Sequence, residues 1–257
     1  MWRCAMPFGR RSGGGLARVV EVPAACRRRH ERGVALFAAL VVMAFVSALV
    51  LGLVLTTSLE PLASASFETS RAAQLAAEAG LGVAAHELGA VGDWNLVLGG
   101  AVVSAVLEQS AVSVELPDGS RAGLPELTSL ATCGHASACS EAEAAAFTAD
   151  RPWGPNNPRW RVFGHARLDQ LLATAQGLPP VEVVVWTGDD PSELDGDPFR
   201  DAPPGPAGEW LPGACTVAIR AEAFAPRQGH ATVLATLTRP GAGCGTGARL
   251  ASWHRLD

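Results

Sequence analysis

The sequence predicts an α+β protein in which a long N-terminal transmembrane helix extends into a mostly antiparallel, β-rich globular head. Three observations carry that expectation. Residues 33–55 are 23 consecutive positions without a charge. Residues 56–88 are rich in Ala and Leu, with polar residues at helical spacing. The remainder alternates strand-like runs with Pro, Gly and Asp punctuators. At 257 residues the chain is long enough for one ordinary domain and an additional segment.

Charge divides the chain at the same place. Residues 1–32 hold eight Arg against Glu21 and Glu31, whereas the remainder holds 12 Arg against 23 acids. All 20 basic residues are Arg, and there is no Tyr. An acidic folded portion argues against a nucleic-acid binder. The uncharged run, GVALFAALVVMAFVSALVLGLVL, would reach roughly 34 Å as a helix, enough to cross a bilayer's hydrocarbon core. Arg27, Arg28, Arg29 and Arg32 stand directly before it. By the positive-inside rule the N-terminus is cytoplasmic and the body lies outside the inner membrane. A secretory signal peptide would give the same orientation, but its apolar core spans only about 7–15 residues. The cleavage-like Ser64-Ala65-Ser66 lies well beyond the apolar run.

Beyond the span, TTSLEPLASASFETSRAAQLAAEAGLGVAAHEL is expected to continue the helix to about Leu88. Glu68 and Arg71 are spaced as an i,i+3 pair, and Leu81, Ala85 and Leu88 share a face. Pro61 should bend the helix, Gly80 and Gly82 should weaken it, and Gly89 followed by Gly92 should end it. Small Ala and Ser side chains suit close packing against other helices.

These residues carry a resemblance. Glu31-Arg32-Gly33-Val34-Ala35-Leu36, the apolar run, Thr56-Thr57-Ser58-Leu59-Glu60 and the segment Ala72–Leu81 together resemble the amino-terminal region of PilX-type minor pilins. They are also similar to the K-type minor pseudopilins of type II secretion. The resemblance covers about residues 27–88, and its parts occur together and in order. It implies a pilin-like fold divided into a leader (1–33), a membrane half-helix (34–55), an extramembrane half-helix (56–89) and a periplasmic head (90–257). It further implies prepilin peptidase cleavage between Gly33 and Val34, methylation of Val34, and packing between subunits through the helix that carries Ala38, Glu60, Pro61 and Glu78. The implied partners are other minor pilins or pseudopilins, an inner-membrane assembly platform and the peptidase.

Two departures refine that expectation. Most pilins carry Glu at the fifth mature position, where it neutralises a neighbouring subunit's amine; here the position is Ala38. A carboxylate in lipid is costly unless paired, so its loss removes both a contact and a penalty. The residue after the cut is Val34 rather than Phe or Met. The absence at Ala38 resembles a subunit placed at the tip, Val34 resembles the K-type and PilX-type minor members, and both argue against the major, repeating subunit.

In the head, strand-like runs are expected at Trp94–Leu98, Val112–Leu116, Trp160–Leu168, Val181–Trp186, Thr216–Phe224, Ala231–Leu237 and Arg249–Trp253. Pro117-Asp118-Gly119 and Arg239-Pro240-Gly241 read as turns. The runs around residues 216–224 and 231–237 form a hairpin candidate with Ile219, Ala221 and Ala223 on one face. Short helices are expected at Ser140–Thr148 and Leu168–Ala175. The terminal RLASWHRLD weakly resembles the last strand of PilX-like proteins.

Cys4 and Cys26 lie in the leader and would leave with it. The remaining Cys133, Cys139, Cys215 and Cys244 allow three pairings in an oxidising compartment. The favoured one closes Cys133–Cys139 and Cys215–Cys244. The alternative, zinc on Cys133, His135 and Cys139, is cramped and lacks an obvious fourth ligand.

The segment WTGDDPSELDGDPFRD, residues 186–201, is densely acidic. Asp189, Asp190, Glu193, Asp195 and Asp197 could supply hard oxygen ligands for calcium, although their spacing is not that of an EF-hand. The simpler reading is a solvated acidic loop. No catalytic motif is present, so an enzyme is not expected. The head's Trp residues read as core, with an adhesive face of Trp153 and Trp160 as the alternative. Two classes follow. One is a minor pilin-like subunit that helps initiate or cap a type IV pilus or secretion pseudopilus. The other is a single-pass inner-membrane-anchored envelope protein with a periplasmic ligand-binding head.

Overall fold

A 60-residue helix, α1 (Glu31–Ala90), opens the computed structural model. The structure describes residues 31–109, 112–172, 179–202, 211–240, 244–245 and 247–256. The chain divides into two units, Met1–Glu60 and Pro61–Asp257, with the division falling inside α1. In the first unit, Val34–Thr57 has a mean hydropathy of 2.9 and is long and apolar enough to cross a membrane. All of its residues are exposed rather than packed in protein. The hydroxyls of Thr56 and Thr57 bond back to the Leu53 carbonyl at 2.9 and 3.0 Å, satisfying themselves where the apolar run ends.

In the second unit α1 becomes amphipathic. Thr69, Ala72, Ala73, Ala76, Ala77, Gly80, Leu81, Ala84 and Leu88 recur every three or four residues and are all buried. They pack on a five-stranded antiparallel sheet of β3 (Arg161–Arg167), β4 (Glu182–Asp189), β5 (Thr216–Ala225), β6 (Gly229–Thr238) and β7 (Arg249–Leu256), in that spatial order. Alternation along the strands sorts the sheet's faces. Phe163, Val183, Val185, Val217, Ile219, Ala221, Ala223, Val233 and Ala235 join the α1 residues in one core. Val184, Trp186 and Ala218 join a second core with Val114, Leu124 and Trp160. That second face is covered by the small hairpin β1 (Ser113–Glu115) and β2 (Arg121–Gly123) and by the helix α3 (Leu124–Cys133). Trp186, fully buried, donates its indole N–H to the hydroxyl of Thr128 on α3 at 3.0 Å.

The end of α1 departs from the sequence expectation. Trp94–Leu98 is not a strand; its last four residues form the helical turn α2 (Asn95–Leu98). Trp94 folds back so that its indole N–H donates to the Leu88 carbonyl at 2.9 Å, capping an acceptor that α1 itself leaves open. The Arg239 guanidinium lies 4.1 Å over the Trp94 ring and donates to the carbonyls of Val91 and Gly92. α1 thus ends at Ala90 rather than at Gly89. Arg71 bonds Gln74 at 3.1 Å instead of pairing with Glu68.

Other elements are shorter or new. The helix expected over Ser140–Thr148 is only α4 (Glu141–Ala144), started by a capping box of Ser140 and Glu143. The one expected over Leu168–Ala175 is α5 (Leu168–Leu171), and residues 173–178 lie outside the described ones. Neither α3 nor β2 was expected. The β5–β6 hairpin is as expected, in register from Thr216↔Thr238 to Ala225↔Gly229. Arg227 and Gln228 turn it with positive φ of 55° and 63°. The structure joins Cys133 to Cys139 and Cys215 to Cys244.

A Cβ at Gly80 would lie 2.6 Å from Val183 Cγ1, in a stiff β-branched side chain with no room to move. Gly80→Ala should therefore destabilise the protein by about 1–2 kcal/mol despite its better helix propensity. Gly82→Ala, with nothing within 4 Å, should stabilise it by about 0.5–1 kcal/mol. Thermal unfolding of the detergent-solubilised chain reads both. Replacing Cys215 and Cys244 with Ser should cost about 3 kcal/mol, because the bridge closes a separation of 29 residues in the unfolded chain.

Candidate functional site

The features singled out near the N-terminus are partly described. Val34 and Ala38 are exposed positions on α1. The leader cluster Arg27–Arg29 and the side chains of Gly33, Glu60 and Pro61 lie outside the described residues. Glu78 is half-buried and accepts a hydrogen bond from Gln74 Nε2 at 2.8 Å.

The acidic segment is built differently from a solvated loop. Asp189 ends β4, opposite Val217 on β5, and is only 2% exposed. The chain then turns back over itself through small carboxylate-to-amide closures. Asp190 accepts from the Ser192 N–H at 2.8 Å, Asp195 from Asp197 at 2.9 Å, and Asp197 from Phe199 at 3.2 Å. These turns carry Glu193 inward, where it is 1% exposed. Its two carboxylate oxygens accept the Ala202 N–H at 3.2 and 3.0 Å. Gly213, with φ of 78°, packs so close that a Cβ there would lie 2.4 Å from Glu193 Cγ. Asp201 ties the far end of the loop by accepting the Thr216 N–H at 3.3 Å, and its own N–H donates to Asn95 Oδ1 at 3.0 Å.

One oxygen from each of Asp189, Glu193 and Asp195 lies within 4.8 Å of the other two. Of the five carboxylates expected to supply calcium ligands, the structure thus brings three together. Asp190 and Asp197 serve as turn acceptors and are not in the group. Burial raises Asp189 to about 8, with the charges of Asp201 and Asp195 adding to it. Burial, then the Asp189 charge, raises Glu193 to about 9. Burial also lifts Asp201 to about 6, against hydrogen bonds from the Cys215 and Thr216 backbone.

A second polar group lies on the covered sheet face, and sequence reading missed it. His165 Nδ1 meets Glu182 at 3.0 Å with both side chains buried. Glu222 faces His230 at 2.6 Å and Arg220 at 3.1 Å. Burial opposes ionisation of Glu222, but the His230 hydrogen bond and the Arg220 charge outweigh it and hold the carboxyl below its usual range. The strand register makes His165 a diagonal neighbour of Glu182 and His230 one of Glu222, and Arg220 shares a face with Glu222 two residues along β5.

The remaining candidates resolve simply. The bonded Cys133 and Cys139 have no thiolate for zinc, and His135 instead contacts Ser137 at 2.8 Å and Glu143 at 3.7 Å. Trp160 is buried in the second core while Trp153 is exposed, so the two do not form a shared adhesive face. A cavity of about 800 Å³ is lined by Arg159, Trp160, Arg161, Thr128, Phe163 and Phe199 among others. Arg159 is buried there and reaches Glu141 at 3.4 Å. No protein-family model, curated protein or solved structure matches the chain.

The acidic group makes stability depend on pH. Asp189 and Glu193 titrate near 3.8 and 4.5 when unfolded and at about 8 and about 9 when folded. Folding therefore gains from their protonated forms below the unfolded values, and that gain is lost as pH rises through the folded ones. In metal-free buffer the melting temperature should fall between about pH 5 and pH 8, and Asp189→Asn should flatten the slope.

Proposed function

We propose that the chain is a minor pilin-like subunit that helps initiate or cap assembly of a type IV pilus or a related secretion pseudopilus. The observation that carries this reading is α1. Its first part is an exposed apolar helix over Val34–Thr57, and its last part seats an antiparallel sheet on an Ala-rich face. An exposed apolar helix of that length needs lipid or other helices around it. In this reading prepilin peptidase cuts between Gly33 and Val34. The span holds the subunit in the inner membrane with its head in the periplasm, and helices of other minor subunits later replace the lipid. The role is non-catalytic, with assembly driven by a separate platform. Ala38 leaves the subunit without the carboxylate that would neutralise a neighbour's amine, which suits a tip or priming position.

One observation favours a second reading, a membrane-anchored envelope protein whose head binds a ligand. The cavity beside Arg159, Trp160 and Arg161 is of ligand size. Processing separates the two. Mass spectrometry of membrane-isolated protein should find a mature N-terminus at Val34, methylated, and Gly33→Arg should abolish the cut. Counting of subunits in sheared filaments should place this chain far below the most abundant one. An uncut leader in cells with active peptidase would leave the envelope-protein reading standing.

A further inference from the structure

We propose that Asp189, Glu193 and Asp195 form a Ca²⁺ site that pins the connection between β4 and β5. The inference stands apart from the pilin reading, since it concerns only the head. Three carboxylate oxygens within 4.8 Å of one another match the span that a cation with bonds of about 2.3–2.6 Å can bridge. Asp189 supplies the independent sign of a missing partner. Its Oδ1 is buried without a hydrogen-bond donor, in a residue that is 98% shielded from water. A buried carboxylate oxygen with neither donor nor cation is costly, and two buried carboxylates side by side more so. Among the described residues, no ion pair within 4.0 Å reaches any of the three.

The donor chemistry selects the ion. All three ligands are carboxylate oxygens, with no His or Cys beside them, which favours a hard cation over zinc or copper. Asn156 steadies the turn that carries Glu193 by donating its amide N–H to the Glu193 carbonyl. Asp195 is exposed, so the group opens to solvent on that side, giving an entry path and room for water ligands. Calcium accepts such a mixed, flexible set of six to eight oxygens, whereas magnesium demands a near-ideal octahedron at shorter distance. The site's consequence is local. Glu193 holds Ala202, Asp201 holds Thr216, and Cys215 is bonded to Cys244, so a cation here would lock the loop onto the start of β5.

The test uses the full chain in detergent, stripped with chelator and titrated with CaCl₂ or MgCl₂ at one pH. Calcium in the millimolar range should raise Tm by about 3–6 °C, with a Kd on the order of 0.1–1 mM. Magnesium should produce less than half that shift. Asp195→Asn keeps the oxygen that accepts from Asp197 and removes a charge facing Asp189 and Glu193, so its Tm without metal should be no lower than the parent's while most of the calcium shift disappears. Asp197→Asn, outside the three, should keep the full shift. No calcium shift, an equal magnesium shift, or a calcium shift that survives Asp195→Asn would each overturn the assignment.

Discussion

Where α1 crosses β4, Gly80 brings the two backbones so near that one added methyl would meet Val183 Cγ1 at 2.6 Å and Val185 Cγ2 at 3.1 Å. The head's main core is organised around that approach. The buried stripe on either side of Gly80 is almost entirely Ala, with Thr69 at one end and Leu81 and Leu88 at the other. Small residues let a helix lie close to a sheet, and the larger strand residues Val183, Val185, Ile219 and Val233 fill the space between. A helix with a Leu-rich stripe would stand further off and leave those strand positions poorly packed. The Trp94 indole and Arg239 then secure the helix end by taking up the carbonyls of Leu88, Val91 and Gly92.

With one sheet face committed to α1, the other must be covered by what remains. The β1–β2 hairpin and α3 supply that cover, and Trp186 pins α3 through Thr128. The outer edge of β3 is likewise shielded, since Ser104 donates to Phe163 and Glu108 bridges His165. Glu87 on α1 organises that shielding segment by accepting from Ser104 and from the Ala105 and Val106 N–H groups. β7, at the opposite edge, has all eight residues exposed. Sheet edges left open invite pairing with another chain. The covered face also holds the Glu182–His165 and Glu222–His230–Arg220 pairs, in which the buried carboxylates find donors. The acidic loop differs from these pairs because Asp189 Oδ1 finds none.

What could be read in advance was whatever depends on pattern within a single segment. The uncharged run at 33–55 announces an apolar helix because no polar residue interrupts it. The alternation in 216–225 and 229–238 announces a hairpin because one face must be apolar, and Val217, Ile219, Ala221 and Ala223 are indeed buried together. Trp94–Leu98 was misread because five mostly apolar residues fit a strand or a helical turn equally well. Its conformation is decided by the Trp94 bond to Leu88, six residues back. The helix α3 begins at Leu124-Pro125 after a Gly, a weak start signal, and is held by the contact of Thr128 with Trp186, 58 residues away.

The candidate site divides along the same line. Sequence by itself determined that carboxylates crowd residues 189–201 and that an exposed apolar helix precedes the head. It also determined that Cys133, Cys139, Cys215 and Cys244 stand in even number there. Only the tertiary structure decided which carboxylates meet. Asp189 is buried because it ends a central strand, and Glu193 because Gly213 lets the chain close over it. Asp195 stays exposed yet lies within 4.8 Å of both, whereas Asp190 and Asp197 close turns and are not in the group. Charge density is a property of the chain, but exposure is set by neighbours distant in sequence, and exposure decides whether a carboxylate is solvated and ionised in its ordinary range or buried and raised above it.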